Sequence, residues 1–312
     1  MLAGMQLEIF THLADAPRDA ATLATALNVE ENRLQRLLYA LVAIGLLEQQ
    51  DGTFANSSEA AAYLVKGRPM YLGGMHELLS QLWHADLNTA QSIRLGKPAA
   101  LHDFGAASDG EMAAMLRGMH ANTLNAGRDF LKRFDFSCCR SVVDVGGGTG
   151  GLIATLCQAY PHLQGTLFEL PRTARLAQSI LRDTPGGDRV AIEEGDILGA
   201  PPSGTHDAVL MRALIQVLSP ADAARAITNA AACLLSSGTI YIVGAGILDD
   251  SRLSPRQAVF WNVTFMNLYQ AGAAYTEAEH GAWLSAAGCE LVERITLPTG
   301  SGIIVARKAI PG

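Results

Sequence analysis

A buried-strand pattern runs directly into a cluster of glycines and then into a helix near the middle of the chain. The segment reads Val142-Val143-Asp144-Val145-Gly146-Gly147-Gly148-Thr149-Gly150-Gly151, followed by the helical run Leu152–Ala159. Glycines let the backbone turn with positive φ and let a ligand approach without interference from a Cβ. The segment therefore predicts a nucleotide-type ligand at the carboxyl end of the first strand of a parallel sheet.

The pattern of apolar residues differs between the two parts of the chain. From Ser141 onward, short apolar stretches alternate with helical periods, which is typical of a parallel sheet with crossover helices. We predict strands at 141–145, 164–169, 190–194, 207–211, 239–243 and 301–307. Residues 5–136 instead read as helices separated by breakers that contain proline or glycine. The helices that we predict there are Met5–Ala14, Ala20–Leu27, Glu31–Ile44 and longer segments between Pro69 and Phe134.

These patterns predict an α/β protein of two domains. A Rossmann-like, doubly wound sheet domain covers residues 137–312, and a mostly helical, winged-helix-like domain covers residues 1–136. Within the first domain, residues 20–54 read as helix, turn, longer helix and hairpin.

A winged helix raises the possibility of a transcriptional regulator, and the charge argues against it. Between Asp15 and Lys66 there are four basic residues and seven acidic ones, and the whole chain carries a formal net charge of −7. A recognition helix that begins with Glu30 and Glu31 would be repelled by phosphate. We therefore expect no nucleic-acid partner and interpret the domain as a dimerisation module.

Composition indicates which broad class of protein the chain belongs to. Hydrophobic residues make up 49% of the 312 residues and charged residues 17%, as in an ordinary globular protein. No apolar run approaches the ~20 residues that span a bilayer, and no secretory leader is visible, so we expect no membrane partner and a cytoplasmic location. The five cysteines form no CxxC pair and the eight histidines have no ligand spacing, so no metal is predicted.

Two cofactors fit the glycine turn, and neighbouring acidic residues favour one of them. Gly146, Gly148 and Gly151 satisfy GxGxxG, which also occurs in nicotinamide dinucleotide sites. Asp144, however, is placed to bind a cationic amino acid end. Glu169 ends the second strand and can accept both ribose hydroxyls. Asp196 and Ile197 end the third strand, beside an adenine. This ordered set favours S-adenosylmethionine.

At this point the chain resembles the plant-type O-methyltransferase family and its bacterial relatives that modify phenols and secondary metabolites. The resemblance covers nearly the whole chain. Its motifs are the glycine run from Asp144, Phe168-Glu169-Leu170-Pro171, Gly195-Asp196-Ile197-Leu198, Leu210-Met211-Arg212 and Tyr275-Thr276-Glu277.

The resemblance implies S-adenosylmethionine as cofactor, S-adenosylhomocysteine as product, a small-molecule substrate and a homodimer. The residues that it assigns to the cofactor, together with those assigned above from their own chemistry, are Asp144, Gly146, Gly148, Glu169, Leu170, Asp196, Ile197 and Arg212.

One departure from the family bears on catalysis. After the fourth strand the family has a histidine that removes the proton from a phenolic hydroxyl, and in the same register this chain has Gln216. Glutamine cannot accept a proton, although it can orient a hydroxyl or carbonyl. The family also often carries a glutamate that orients the histidine, where this chain has Gly244.

Two reactions remain open under this constraint. The first is methyl transfer to an aromatic or enolic hydroxyl of low pKa, or to a nitrogen, sulfur or carbon nucleophile, with Gln216 positioning the acceptor. The second is a non-methylating reaction on the same scaffold, such as hydroxylation, decarboxylation or rearrangement.

His120 is a possible substitute base, since it lies in a helix that resembles the family's substrate-lining element. His206 and His280 are poorly placed for that role. The candidate substrate contacts lie in the same helix and in a second helix near residue 262, and they are Met119, Asn122, Trp261, Asn262, Phe265 and Met266.

Overall fold

The computed structural model describes residues 1–68, 70–72, 75–102 and 106–310. The chain divides into two compact units. One comprises Met1–Gln81 and Arg117–Asn122, and the other comprises Leu82–Leu116 and Thr123–Gly312. The domain boundary predicted after residue 136 stays a prediction.

The first unit contains short helices and a small antiparallel sheet. Its elements are α1 (Leu2–Gln6), α2 (Ile9–His12), β1 (Arg18–Asp19), α3 (Ala20–Leu27), α4 (Glu31–Ala43), β2 (Leu47–Gln50), β3 (Thr53–Asn56) and α5 (Ser58–Tyr63). The strands pair in the order β1-β3-β2. Side-chain caps begin α3 at Asp19, α4 at Glu30 and α5 at Ser57. Each cap satisfies backbone N–H groups that the first helical turn leaves unpaired.

The helix predicted over Met5–Ala14 is wrong in its bounds. Two short helices, α1 and α2, replace it, because Glu8 adopts a left-handed conformation with φ 54° between them. The break still buries Met5, Ile9 and Phe10 in one core. The helix predicted over Glu31–Ile44 ends one residue earlier, at Ala43.

Further helices accompany a seven-stranded sheet in the rest of the chain. They are α6 (Met75–Leu87), α7 (Thr89–Leu95), α8 (Asp109–Leu131), α9 (Gly151–Ala159), α10 (Pro171–Arg182), α11 (Pro220–Ala232), α12 (Arg256–Leu268) and α13 (Glu277–Ala286). Residues of α6 and α8 belong to both units.

The sheet has the order β11-β12-β8-β7-β4-β5-β6. Its strands are β4 (Ser141–Val145), β5 (Gln164–Glu169), β6 (Val190–Glu194), β7 (His206–Arg212), β8 (Leu234–Gly244), β11 (Cys289–Thr296) and β12 (Gly302–Lys308), and a separate parallel pair consists of β9 (Ile247–Leu248) and β10 (Tyr275–Thr276). Strands β6, β5, β4, β7 and β8 run parallel, whereas β12 and β11 are antiparallel. The strand order reverses between β4 and β7, which is where open parallel sheets bind ligands.

The doubly wound α/β fold predicted from the sequence is confirmed. Strands β4, β5 and β6 have the predicted bounds, whereas β7 and β8 are longer and β12 is shifted by one residue. Strand β11 was not predicted from the sequence. This edge strand is exposed along much of its length and breaks register between Leu291 and Glu293, so it lacks the apolar pattern of a central strand.

None of the helices described is both long and apolar enough to cross a membrane.

Candidate active site

The glycine turn joins β4 to α9 as predicted. Gly146, Gly148 and Gly150 adopt left-handed conformations with φ of 67°, 62° and 69°. The N–H of Gly146 donates to the Phe168 carbonyl at 2.9 Å, which ties the turn to the neighbouring strand. The turn therefore presents backbone, not side chains, at the switch point of the sheet.

Asp144 lies directly beneath this turn and is completely buried. Neither of its carboxyl oxygens has a hydrogen-bond partner among the described residues. A Cβ on Gly147 would lie 2.4 Å from Asp144 Oδ2, so the carboxyl group fits only because that position has no side chain. Burial raises the pKa of Asp144 to about 7, the Arg212 charge opposes this rise and the Glu169 charge adds to it.

Glu169 ends β5 next to the turn and is nearly buried. Its Oε1 accepts a hydrogen bond from Gly148 N at 2.9 Å, and its Oε2 accepts one from Leu170 N at 2.8 Å. Burial raises the pKa of Glu169 although both hydrogen bonds lower it. Each carboxylate oxygen keeps a second lone pair for a ligand hydroxyl.

The other predicted cofactor residues follow neighbouring strands. Asp196 is exposed, and its Oδ1 accepts from Leu198 N at 2.9 Å. Ile197 is 7% exposed and packs in the main core, whereas Leu170 is 52% exposed. Arg212 ends β7; burial lowers its pKa and the Asp144 charge raises it.

Parts of α8 lie along the glycine turn. Thr123 and Thr149 share a buried hydrogen bond of 3.0 Å. A Cβ on Gly148 would lie 3.9 Å from Leu116 Cδ2. The beginning of α8 is held to the beginning of α10, because the Arg172 guanidinium donates to Asp109 Oδ1 at 2.7 Å and to the Ala107 carbonyl.

Gln216 follows β7 in a single 3₁₀ turn, Ile215–Val217. Its side-chain oxygen accepts a hydrogen bond of 3.1 Å from Ala245 N, just past the end of β8. Leu214, two residues earlier, lies against Gly146, since a Cβ there would be 3.2 Å from Leu214 Cδ1. The 3₁₀ turn that carries Gln216 therefore begins beside the glycine turn.

Helix α12 carries four of the predicted substrate residues. Trp261 and Met266 are half-buried, while Phe265 is buried and stacks on Trp261 with ring centroids 5.8 Å apart. Asn262 Oδ1 accepts from Ala274 N at 2.8 Å, so this oxygen supports the fold. Thr264 likewise donates to Asp86 at 2.9 Å.

Met119, His120 and Asn122 belong to the first unit, and their role at the site stays a prediction. Met119 and His120 are half-buried and Asn122 is exposed. Burial lowers the pKa of His120, which favours the neutral imidazole.

His206 and His280 are held by backbone carbonyls. The Nε2 atom of His206 lies 3.2 Å from the Ser203 carbonyl, and Nδ1 of His280 lies 2.8 Å from the Thr276 carbonyl.

Two features near Gln216 were missed by sequence reasoning. Tyr269 extends the ring stack of α12, with its centroid 5.8 Å from that of Phe265, and its four-residue spacing could have revealed it. The backbone N–H of Ala245 leaves no signal in a sequence, because its role depends on where the chain places it.

These residues fit S-adenosylmethionine. A buried carboxyl group without a partner is costly in a protein, and a cationic amino group would satisfy it. The side-chain-free turn leaves room for the ligand backbone, and Glu169 offers acceptors for a ribose.

Comparisons with known proteins agree with this fit. The O-methyltransferase domain profile matches residues 88–290, and the profile of the O-methyltransferase dimerisation domain matches residues 1–66. The chain is 28% identical over 316 residues to the 3-hydroxy-5-methyl-1-naphthoate 3-O-methyltransferase of Streptomyces sahachiroi, covering 99% of this chain and 91% of that protein.

Two further relatives bear on fold and reaction. The chain is 28% identical over 249 residues to aclacinomycin 10-hydroxylase of Streptomyces purpurascens, covering 76% of this chain and 66% of that protein. The structure of human N-acetylserotonin methyltransferase in complex with SAM superposes with a TM-score of 0.84 at 22% identity, covering 99% of this chain and 92% of that one.

Proposed function

Because this chain belongs to the O-methyltransferase family, whose cofactor is S-adenosylmethionine, we propose that it methylates a hydroxyl group of a small aromatic or enolic molecule of secondary metabolism. S-adenosylhomocysteine is the second product. When bound, the cofactor supplies a methyl group on a positively charged sulfur. We also propose a homodimer that acts in the cytoplasm, with no nucleic-acid or membrane partner.

The buried Asp144 carboxyl group is the observation that carries this proposal. It combines complete burial, two oxygens without a described partner and a position under a turn that has no side chains. In the proposed complex Asp144 pairs with the cationic methionine end of the cofactor. Glu169 accepts from the ribose hydroxyls through its free lone pairs.

The remaining proposed cofactor contacts lie at the glycine turn and at or just after the ends of β5, β6 and β7. Gly146 and Gly148 offer backbone to the methionine and ribose portions, and Leu170, Asp196 and Ile197 follow strands β5 and β6 on the adenine side. The Arg212 charge lies close enough to oppose the rise in the Asp144 pKa, which supports a role in holding that carboxyl ionised.

Gln216 is proposed to position the acceptor at the family's histidine position. Alignment of the reacting atoms can lower the barrier by about 7–11 kcal/mol. General-base catalysis typically raises the rate ~10²–10⁴-fold, which corresponds to about 3–5 kcal/mol. Positioning is the larger of these two contributions, so an acidic acceptor can react without a base. His120 stays a candidate base for less acidic acceptors.

The acceptor is proposed to contact Trp261 and Met266, which are partly exposed on α12. Phe265 stacks on Trp261, and Asn262 accepts a hydrogen bond from Ala274 N. We propose that both residues support the α12 side of the substrate site. Met119 and Asn122 are proposed to line the site from α8.

Methyl transfer is tested by incubating the protein with S-adenosylmethionine labelled in the methyl group and a panel of acidic phenols and enols. We expect a product heavier by one labelled methyl group. Glu169→Gln should weaken cofactor binding, because an amide cannot accept from both Gly148 N and Leu170 N. Glu194→Gln is the matched control, since Glu194 pairs with Glu169 in the sheet and is exposed.

A non-methylating reaction is the second candidate. It is supported by Gln216 in place of a base and by the likeness to a hydroxylase. The same assay separates the two, because a product that gains oxygen and no labelled methyl group would replace the first proposal with the second.

A further inference from the structure

The side chain of Gln216 is held in one orientation by backbone. Its Oε1 accepts a hydrogen bond from Ala245 N at 3.1 Å. An amide N–H can only donate, so the oxygen and not the nitrogen of Gln216 must face Ala245. The carbonyl end of this side chain is thereby turned toward the end of β8.

Three glycines make room for this orientation. A Cβ on Gly244 would lie 2.9 Å from Gln216 Oε1, and one on Gly246 would lie 3.3 Å from Gln216 Cβ. A Cβ on Gly272 would lie 2.5 Å from the Gln216 carbonyl oxygen. We call Gly244, Gly246 and Gly272 the glycine socket. A side chain at Gly244, where the family often has glutamate, would push the Gln216 amide away from Ala245.

The socket leaves Nε2 of Gln216 as the group available to a ligand. Within the described part of the chain, Gln216 makes no hydrogen bond through Nε2, and the residue is half-buried. An amide nitrogen carries two N–H donors and no acceptor. This end of the site therefore offers hydrogen to a ligand oxygen and cannot take a proton from it.

Aromatic rings adjoin the same socket. The Phe265 ring edge would lie 2.8 Å from a Cβ on Gly246, and Tyr269 would lie 2.9 Å from one on Gly272. Trp261 continues this stack along α12. Burial raises the pKa of Tyr269, so its phenol stays protonated at neutral pH and is no base. A planar ring system with an oxygen near Gln216 fits these surroundings.

We propose that Gln216 Nε2 donates to an anionic oxygen of the acceptor, so that the substrates are aromatic or quinonoid hydroxyls acidified by conjugation with a carbonyl and already ionised when bound. This inference rests on the proposed function. The proton leaves to water before transfer. The anionic oxygen then forms a bond to the methyl carbon as the carbon–sulfur bond breaks, and sulfur keeps that electron pair. No protein group takes up a proton in this step.

The test measures the ionisation of a bound acceptor, which needs no turnover. The protein is loaded with S-adenosylhomocysteine and titrated with 2-hydroxy-1,4-naphthoquinone, 2-hydroxyanthraquinone or 4-hydroxybenzaldehyde, whose ionised and neutral forms differ in absorbance. A hydrogen bond to a charged group is worth ~1.5–3 kcal/mol. We therefore expect the apparent pKa of a bound probe to be lower than that of the free probe by about 1 to 2.

Variants assign this effect to the amide. Gln216→Leu should abolish the lowering, and the isosteric Gln216→Glu should raise the probe pKa above its free value, because a carboxylate repels the anion. Gln257→Leu, at an exposed glutamine in the first turn of α12, is the matched control and should keep the wild-type shift. An unchanged or raised pKa in the wild type, a shift that survives in Gln216→Leu, or binding of none of the probes overturns the proposal.

Failure of this inference is distinct from failure of the proposed function. If the probes bind with a lowered pKa and none gains a labelled methyl group, the donor role stands and methyl transfer is wrong. If methyl transfer occurs, kcat/KM of the wild type should rise with pH around the pKa of each acceptor. A midpoint that stays fixed across acceptors of different pKa would assign the proton to a protein base and overturn the donor role.

Discussion

At the scale of single residues, the candidate site contains a buried carboxyl group and a half-buried amide whose surroundings fix their chemical form or orientation. Asp144 is buried without a described partner, and its pKa is raised to about 7. Gln216 has its oxygen fixed by Ala245 N. In both cases the surroundings decide which chemical form of the side chain meets a ligand, and this makes both sites sensitive to small substitutions.

Cofactor affinity should depend on the ionisation of Asp144. Its carboxyl group must lose a proton to pair with a cation, so affinity for S-adenosylmethionine should rise several-fold between pH 6 and 7.5. Calorimetry in buffers of different ionisation enthalpy should record release of a proton on binding near pH 7.

Asp144→Asn provides the control for this pH dependence. Its affinity should be at least about tenfold weaker and should lose the rise between pH 6 and 7.5. A wild-type affinity that is flat over this range would contradict the assignment. In the ligand-free protein the same shift predicts that the free energy of unfolding falls as pH rises from about 4 to 7, since the unfolded carboxyl group ionises first.

Gly244→Ala should impair the acceptor side of the site and spare the cofactor side. The new Cβ would lie 2.9 Å from Gln216 Oε1 and displace it from Ala245 N. Loss of one hydrogen bond of ~1–1.5 kcal/mol corresponds to about a tenfold fall in kcat/KM. Affinity for S-adenosylmethionine should stay within twofold.

Gly281→Ala is the comparison for this substitution, because among the described residues a Cβ at Gly281 would come within 4 Å of Leu291 Cδ1 alone, at 3.7 Å. It should leave both quantities unchanged. Equal loss of cofactor affinity and of kcat/KM in Gly244→Ala would count against a specific role for the socket.

At the scale of elements, the part of α8 from Thr123 onward packs closely against α9 and the glycine turn. Gly127 faces α9 so closely that a Cβ there would lie 2.7 Å from Thr155 Cβ and 3.1 Å from the Leu152 carbonyl. Thr123 and Thr149 add a buried hydrogen bond between the same helix and the glycine turn. The position of α8 therefore depends on small side chains at its inner face.

Gly127→Ala should destabilise the protein although alanine is the better helix former. Overpacking a close contact typically costs about 1–3 kcal/mol, which exceeds the gain of ~1 kcal/mol in helix propensity. A Cβ at Gly110 of the same helix would lie 4.0 Å from Ser108 Oγ, so Gly110→Ala should be neutral or stabilising. Chemical denaturation of both variants checks the sign, and equal stabilisation by both would refute close packing at Gly127.

The elements that sequence predicts well are those with an unbroken pattern. Strands β4, β5 and β6 have apolar centres and polar or glycine boundaries, and their bounds agree with the structure. Strand β11 was not predicted, because an exposed edge strand carries no continuous apolar run. The break in the helix at Glu8 was not predicted, because the apolar spacing of Met5 and Ile9 continues across it.

The candidate site likewise contains features that can be predicted from the sequence and features that cannot. Asp144, the glycine turn and Glu169 could be assigned from sequence, because strand ends fix their neighbourhood. The orientation of the Gln216 amide could not, since it depends on one backbone N–H from another strand end. Nor could the hydrogen bond that Asn262 Oδ1 accepts from Ala274 N, which fixes the orientation of this residue, a proposed part of the substrate site.

At the scale of the whole molecule, the chain combines a dimerisation domain with a methyltransferase domain. The two profiles match residues 1–66 and 88–290. In the first unit, an apolar core that includes Phe10, Leu38 and Phe54 stabilises the helices and small sheet. The second unit supplies the strand ends that form the candidate cofactor site.

A homodimer is the expected assembly. Light scattering after size exclusion should give about 66 kDa, twice the chain mass of 33.0 kDa, and should do so independently of cofactor. An electrophoretic shift assay should show no binding to duplex DNA at physiological salt, because of the net charge of −7. A monomer at micromolar concentration, or salt-sensitive DNA binding, would contradict these expectations.

The central claim is that the turn after β4, with Asp144 beneath it and Glu169 beside it, holds S-adenosylmethionine. A crystal structure of the protein soaked with S-adenosylhomocysteine tests this most directly. We predict the amino group of the ligand within hydrogen-bond reach of Asp144, directly or through one water, and its ribose hydroxyls on Glu169. A ligand bound elsewhere, or one whose ribose and amino groups contact neither carboxylate, would contradict the account.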